Sequence, residues 1–266
     1  MRYGLIGEKL GHSYSKIIHE KLADYTYDLI PLTKEEFVPF MQKKDFTAIN
    51  VTIPYKQEVI PYLDELHPLA SQIGAVNTIV NKSGYYIGYN TDFYGFQYML
   101  THNNIEISGK KCLIIGTGGT SHTVREVLKY LGADKILIVS RKNSEDTISQ
   151  AEDLDLCKTI SYETCYAEHT DAAIIINTTP LGMYPKVDAS PLELTTFSQC
   201  EAVVDVIFNP MKTKLTLQAE ELGIKAVTGL EMLVAQAKQA IEYFLDKKLE
   251  DKVIDDVYQE LLKIID

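Results

Sequence analysis

The hydrophobic positions of the chain follow two rhythms. Short, mainly apolar runs occur at 3–6, 112–115, 136–139 and 172–176. Runs of that length read as strands, and the later ones as strands covered on both faces. Between them, apolar residues recur at helical spacing. Val124, Val127, Leu128 and Leu131 form one such stripe, and Gly132 follows it where a helix C-terminus wants glycine. The stretch from Lys111 to Val139 is therefore strand, glycine turn, helix, strand: a βαβ unit.

The same reading organises the rest of the chain. A strand at 3–6 ends at Gly7, and a helix through Ile17, Ile18 and Leu22 is entered at Ser13 or Ser15, either of which can cap it. A strand is expected at 25–32 and a helix at 33–42, with Pro39 kinking or shortening it. A strand at 48–53 stops at Pro54, and 55–66 is mixed and broken by Pro61. Strands at 76–80 and 85–89 flank Asn81-Lys82-Ser83-Gly84, a hairpin signal, and Asn90-Thr91-Asp92 caps a helix over 93–102. The polar stretch 103–110 is read as a domain boundary. Beyond the βαβ unit, strands near Thr159 and at 172–176, 202–207 and 224–227, with a helix at 212–222, predict a parallel, doubly wound sheet. Helices at 232–245 and 254–264 close the chain and leave room for a return to the first domain. The expected division is 1–102, 103–230 and 231–266.

Composition narrows the function. The 266 residues, 45% hydrophobic, suffice for one large domain or two modest ones. A net charge of -11 argues against a nucleic-acid or anionic-membrane partner. Small anionic ligands remain open, since they need only a local basic site. Cys112, Cys157, Cys165 and Cys200 show no C-x-x-C spacing, and no secretory signal is visible, so reduced thiols and a cytoplasmic location are expected. The histidines show no metal-ligand spacing with the cysteines, and no metal is expected. No apolar run approaches the length of a membrane span.

The glycine turn Gly116-Thr117-Gly118-Gly119 lies between a strand and a helix. There the backbone can approach a pyrophosphate, whose charge sits at the helix N-terminus. The fingerprint G-x-G-x-x-G is incomplete, because Ser121 takes the third glycine position. Ligands of such folds gather beyond the carboxyl ends of the strands. Polar residues just after the predicted strands are Ser13, Ser15, Thr52, Lys56, Asn77 and Asp92 in the first half, and Arg141, Asn177, Thr178 and Thr179 in the second. The first set suits a polyhydroxylated acid; the second suits a dinucleotide. Each also has a plain structural reading. Taken alone, Ser13 and Ser15 read better as helix caps and Lys56 as a solvated lysine, while Asp92 is as good an N-cap as a catalytic group.

The pieces occur together and in order. Gly11-His12-Ser13-Tyr14-Ser15, Asn50-Val51-Thr52-Ile53-Pro54-Tyr55-Lys56, Gly74-Ala75-Val76-Asn77-Thr78, Gly88-Tyr89-Asn90-Thr91-Asp92, Gly116-Thr117-Gly118-Gly119, Asn177 through Met183, Asp205 through Pro210, and Met232 through Gln236 resemble the motifs of the shikimate and quinate dehydrogenase family over nearly the whole chain. The resemblance implies an α/β protein with an N-terminal substrate domain, a C-terminal Rossmann-like NADP domain, and a terminal helix packed on the first. It implies reversible reduction of 3-dehydroshikimate to shikimate, on the route to chorismate and the aromatic amino acids. Carried over by position, Lys56 and Asp92 are the catalytic pair. Ser13, Ser15, Thr52, Asn77, Asp92, Phe208 and Gln236 bind substrate. Gly116, Thr117, Gly118, Gly119, Thr120, Ser140, Arg141 and Lys142 hold NADP, with Val206 and Gly229 near the nicotinamide. The chain departs from the family at Lys16, where proline is usual, at Phe208, where tyrosine is usual, at Glu231, where glycine is usual, and at Ser140-Arg141-Lys142, where Asn-Arg-Thr is commoner.

The strand at 136–139 runs into Ser140-Arg141-Lys142 with no acid before Glu145. An acid there would favour NAD; an arginine can clasp a 2′-phosphate and stack on the adenine. NADP is therefore the expected cofactor, and the partners are small molecules, with the chain a monomer or homodimer. A quinate-preferring or dual quinate/shikimate dehydrogenase and a catalytically silent NADP-binding sensor are the competing readings. The two serines favour shikimate over quinate, and a sensor has no use for the Lys56–Asp92 pair.

Overall fold

In the computed structural model, residues 2–11, 13–141 and 156–265 are described. Their elements, in chain order, are β1 (Tyr3–Gly7), α1 (Ser15–Leu22), β2 (Tyr27–Pro31), α2 (Lys34–Lys43), β3 (Ala48–Val51), β4 (Glu65–Leu66), α3 (Pro68–Ile73), β5 (Thr78–Lys82), β6 (Tyr85–Tyr89), α4 (Asp92–His102), β7 (Lys111–Ile115), α5 (Gly119–Tyr130), β8 (Lys135–Ser140), β9 (Cys157–Ser161), α6 (Tyr162–Glu168), β10 (Ile174–Asn177), β11 (Ala202–Asp205), α7 (Lys214–Glu221), β12 (Lys225–Thr228), α8 (Leu230–Leu245) and α9 (Lys252–Ile265). The chain divides into two compact units, Met1–Gly95 with Leu233–Leu261, and Phe96–Met232 with Leu262–Asp266.

The first unit is built on a mixed sheet ordered β2-β1-β3-β5-β6-β4. β1 pairs in parallel with β2 and β3, while β3–β5 and β5–β6 are antiparallel. Side chains alternate across the pleat, so both faces bury apolar groups. Ile6, Ile30, Ile49 and Val51 join Phe37, Met41 and Tyr55 on one face. Leu5, Tyr27, Ala48 and Val80 meet Ala240 and Phe244 of α8 on the other. The hairpin turn uses Ser83 and Gly84 at φ 56 and 91, and the Asn81 side chain accepts the Gly84 N–H at 2.6 Å.

Two expectations are corrected here. α1 begins at Ser15 with Tyr14 in the capping position and no side-chain cap; the Ser13 hydroxyl instead accepts the Ser15 N–H at 3.3 Å. The short Ser-x-Ser spacing closes a local turn before a cap can form. Pro39 neither ends nor shortens α2, which runs through it to Lys43. A complete capping box between Thr33 and Glu36 starts the helix, and buried Phe37 and Met41 hold it on the sheet. Those contributions offset the one N–H that proline removes.

The second unit carries an all-parallel sheet ordered β12-β11-β10-β7-β8-β9. After β9 the chain crosses to the far side of β7, so β7 and β10 flank the point where the strand order reverses. Leu113, Ile115, Leu137, Val139, Ile175 and Val203 pack with Leu215 and Ala219 of α7. All four thiols are free. Burial pushes Cys112 and Cys200 up to about 12 and Cys165 up to about 11. No helix among the described residues is long and apolar enough to cross a membrane.

Candidate active site

In the first unit, Lys56 lies in the turns after β3 and Asp92 is the first residue of α4. Their side chains meet at 2.6 Å, Lys56 Nζ donating to Asp92 Oδ2, and are 21% and 12% exposed. Asp92 does not act as the helix cap at its own position. The Asn90 carbonyl oxygen Oδ1 accepts the Phe93 N–H at 3.3 Å, and the Asp92 carboxylate turns to the lysine.

Beside this pair lies a buried polar network. Asn77 Oδ1 accepts the Thr91 N–H at 2.7 Å, which fixes which end of the amide is oxygen. Asn77 Nδ2 then donates to Thr91 Oγ1 at 3.0 Å, and Thr91 Oγ1 donates to Gln236 Oε1 at 3.4 Å. Gln236 Nε2 donates to the Leu233 carbonyl at 2.8 Å, holding the amide on α8. Behind Asn77, Asn50 Nδ2 donates to Thr78 Oγ1 at 3.0 Å, and the Tyr27 hydroxyl donates to Asn50 Oδ1 at 2.7 Å. Asn77, Asp92 and Gln236 are thus joined through one short segment of chain, Thr91-Asp92. Thr52 is half-buried at the exit of β3, Ser15 is buried, and Ser13 is half-buried after β1. Phe208 lies in the second unit, half-buried beyond β11. Thr91, Thr78, Asn50 and Tyr27 escape a reading by strand exits. The signal that finds them is polarity inside an apolar run, as at Asn50 between Ile49 and Val51.

Lys16, the departure from the usual proline, has its own work. Its ammonium donates to the Tyr27 carbonyl at 2.7 Å and to Glu20 at 2.6 Å, so the second residue of α1 is tied to β2. Glu231 accepts from Asn103 Nδ2 at 2.6 Å and is hydrogen-bonded to His102 Nδ1.

In the second unit the glycine turn follows β7. Gly116 has φ 106, open to glycine at little cost, and a side chain there would meet Thr179 at 2.8 Å. Gly118 caps α5 without a side-chain bond, and a Cβ added at Gly118 or Gly119 would meet nothing within 4 Å. Thr117 is exposed and Thr120 half-buried. Ser121 fits the third glycine position because its hydroxyl donates back to the Gly118 carbonyl at 2.7 Å. Ser140 is buried as the last residue of β8, and Arg141 is exposed immediately after it. Lys142 lies outside the described residues. Gly229 packs on the β11 exit so closely that a Cβ would sit 2.0 Å from the Val206 carbonyl oxygen.

Behind these loops sits Asp205. Burial pushes its carboxyl up to about 6, while bonds from Thr213, the Ile207 N–H and Asn177 pull the other way. The glycine turn fits a pyrophosphate: the faces of Gly118 and Gly119 are open, and the first N–H groups of α5 carry no side-chain cap. An exposed guanidinium at the end of β8 fits a phosphate on the adenosine ribose.

Residues 5–79 match the family model of the shikimate dehydrogenase substrate binding domain. The chain is 37% identical to the shikimate dehydrogenase (NADP(+)) of Clostridium perfringens, over 97% of each sequence. It is similar to the solved chorismate mutase/shikimate 5-dehydrogenase fusion protein of Clostridium acetobutylicum, at TM-score 0.90 and 39% identity, covering 99% of this chain and 97% of that one. It is also similar to the shikimate 5-dehydrogenase of Listeria monocytogenes solved with shikimate and NAD, at TM-score 0.81 and 28% identity, covering 97% of this chain and 96% of that one. With its eight motifs in order and a relative this similar along its full length, the chain belongs to the shikimate dehydrogenase family.

Proposed function

We infer that the protein catalyses the reversible, NADP-dependent reduction of 3-dehydroshikimate to shikimate, with the substrate held by the first unit and the cofactor by the second. The observation that carries the reading is the Lys56–Asp92 pair at 2.6 Å, set beside the Asn77–Thr91–Gln236 network. When bound, NADP supplies or takes up the hydride. Lys56 Nζ donates a proton to the substrate's carbonyl oxygen as that oxygen becomes a hydroxyl, and withdraws it in the reverse direction. Asp92 holds the lysine in place and accepts from a ring hydroxyl. Asn77 spends its oxygen on Thr91, so it presents its remaining N–H and acts toward the ligand as a donor. Gln236 and Thr52 complete the hydroxyl contacts. Ser13 and Ser15, at the entry of α1, donate to the substrate carboxylate, with the helix dipole in support. Gly116, Thr117, Gly118, Gly119 and Thr120 hold the pyrophosphate, and Ser140, Arg141 and Lys142 hold the 2′-phosphate end. Val206 and Gly229 flank the nicotinamide. The protein acts in the cytoplasm as a monomer or homodimer.

The test is an oxidation panel: shikimate and quinate, each with NADP and with NAD. The expected result is highest kcat/KM with shikimate and NADP. A preference for quinate, or no turnover with either acid, overturns the reading.

A further inference from the structure

We propose that Asp205 is a positioning residue for the dinucleotide, its buried carboxylate tying the exit of β10, the exit of β11 and the start of α7 together at the carboxyl edge of the parallel sheet. The inference rests on the reading that the glycine turn holds NADP. Asp205 ends β11 and is fully buried. Oδ1 accepts from Asn177 Nδ2 at 3.0 Å and from the Ile207 N–H at 3.0 Å. Oδ2 accepts from the Thr213 hydroxyl at 2.7 Å.

Two of the partners lead to different walls of the cofactor site, and the third leads to the start of α7. Asn177 ends β10, and its Oδ1 accepts both the Thr179 N–H at 2.9 Å and the Thr179 hydroxyl at 2.7 Å. Thr178 in turn donates to the Ile115 carbonyl at 2.8 Å, and Thr179 is the side chain nearest to Gly116. This arm reaches the pyrophosphate turn. The Ile207 N–H fixes the exit of β11. From there the Ile207 carbonyl accepts the Gly229 N–H at 3.0 Å, and Gly229 lies against the Val206 carbonyl. This arm reaches the nicotinamide side. Thr213 is the cap of α7, accepting the Thr216 N–H at 3.3 Å while donating to Asp205. One carboxylate therefore sets the spacing between the pyrophosphate turn and the nicotinamide side without touching the ligand.

A carboxylate in this place works against its own burial, and burial raises its pKa toward 6. None of its hydrogen-bond partners carries a charge to compensate. An apolar residue would serve the sheet as well; what it could not do is gather three donors, one from the end of β10 and two from the connection between β11 and α7.

The test uses the full chain with NADP+ itself, by calorimetry, on the wild type, Asp205→Asn, Thr213→Val and Thr213→Ser. Asparagine keeps the size but turns an N–H2 toward donors. Its NADP+ dissociation constant should rise about tenfold or more, as for loss of a charge-assisted bond. Thr213→Val removes the donor to Oδ2 together with the side-chain cap of α7 and should raise it about threefold, within the range of one hydrogen bond, whereas Thr213→Ser keeps both and should bind as the wild type does. The KM for shikimate at saturating NADP should stay near the wild-type value in all three. If Asp205→Asn and Thr213→Val are folded and bind NADP+ as the wild type does, Asp205 does not position the site. If NADP+ affinity and the shikimate KM worsen together, in step with loss of folded protein, the role is structural only and the proposal fails. Should Asp205→Asn not fold, Thr213→Val alone decides. Wild-type protein that does not bind NADP+ removes both the proposal and the reading beneath it; wild-type binding with unaltered variants removes the proposal alone.

Discussion

Lys56 and Asp92 are separated by 36 positions and meet at 2.6 Å. Neither is distinguished by its own sequence neighbourhood, and a lysine after a proline turn ordinarily faces water. Their pairing depends on β3 and α4 being brought side by side, which no local pattern encodes. The motif order of the family carried that information; residue-level physics did not. Replacing Lys56 by alanine removes the proton donor and should lower kcat about 10²-fold or more, the usual scale for a general acid–base group, with KM for shikimate changing far less. A variant that turns over near the wild-type rate would remove Lys56 from the chemistry. Arg141 can be judged in the same way. It is exposed at the end of β8, with its charge felt by the Tyr162 hydroxyl. Arg141→Ala should raise KM for NADP about tenfold or more, the value of a lost charge-assisted contact, and leave KM for NAD nearly unchanged. Equal weakening of both cofactors would mean that the arginine does not read the 2′-phosphate.

At the scale of elements, the parallel sheet was the easiest part to read. β7, β8 and β10 are covered on both faces, so their apolar runs have few polar interruptions and their strands follow within a residue or two. The first unit was harder. Its α2 passes through Pro39 because a capping box and two buried side chains outweigh one missing bond, a balance that local propensity alone does not show. The orientation of Asn77 was equally out of reach, since it is set by Thr91, 14 positions along the chain. The approach of Gly229 to Val206 belongs to this scale too, because it joins the exits of two strands. A methyl group at Gly229 would overlap the Val206 carbonyl oxygen, 2.0 Å away, with backbone on both sides and nothing flexible to yield. Gly229→Ala should therefore push α8 off the β11 exit. We expect a loss of about 1–3 kcal/mol in unfolding free energy, the range for overpacking, read by urea titration. A stability equal to the wild type would show that the strand exits can part freely.

For the whole molecule, two buried groups, one in each unit, should answer acid in opposite ways. His19, in the first unit, is fully buried, stacked on Tyr27 at 4.0 Å with Nδ1 bonded to the Tyr25 hydroxyl at 2.7 Å. Burial lowers its pKa from 6.5 to about 3. A depressed folded value means that the unfolded chain takes up the proton first. Stability from His19 is complete above pH 6.5 and drains away as pH falls toward 3, by about 2 kcal/mol between pH 7 and 5. Asp205 behaves in reverse. Its folded value is raised to about 6, so its contribution is greatest below the unfolded value of 3.8 and is lost as pH rises through 6. Going from pH 7 to 5, Asp205 by itself should return about 1 kcal/mol, while His122 and His169, whose pKa values burial lowers, act the other way in the same unit. Hydrogen exchange at the two pH values, corrected for intrinsic rates, should show β1 and β2 opening more readily at pH 5 and β10 and β11 less so. His19→Phe should abolish the first effect; matching responses in both sheets would refute the assignment.

The elevated thiols have a use at the bench. A thiol reacts as its thiolate, and Cys112, Cys165 and Cys200 are held protonated far above working pH, while Cys157 is buried. Ellman's reagent should find little to titrate in the native chain over minutes and all four groups once it is unfolded. Rapid labelling of Cys200, the one thiol with some exposure, would contradict this. The native molecule is thus close to a blank background for site-directed labelling. A single cysteine placed on an exposed position such as Glu221, at the end of α7, could carry a fluorophore without first stripping the natural ones. Ligand binding to either unit could then be followed optically in a chain that has no tryptophan of its own.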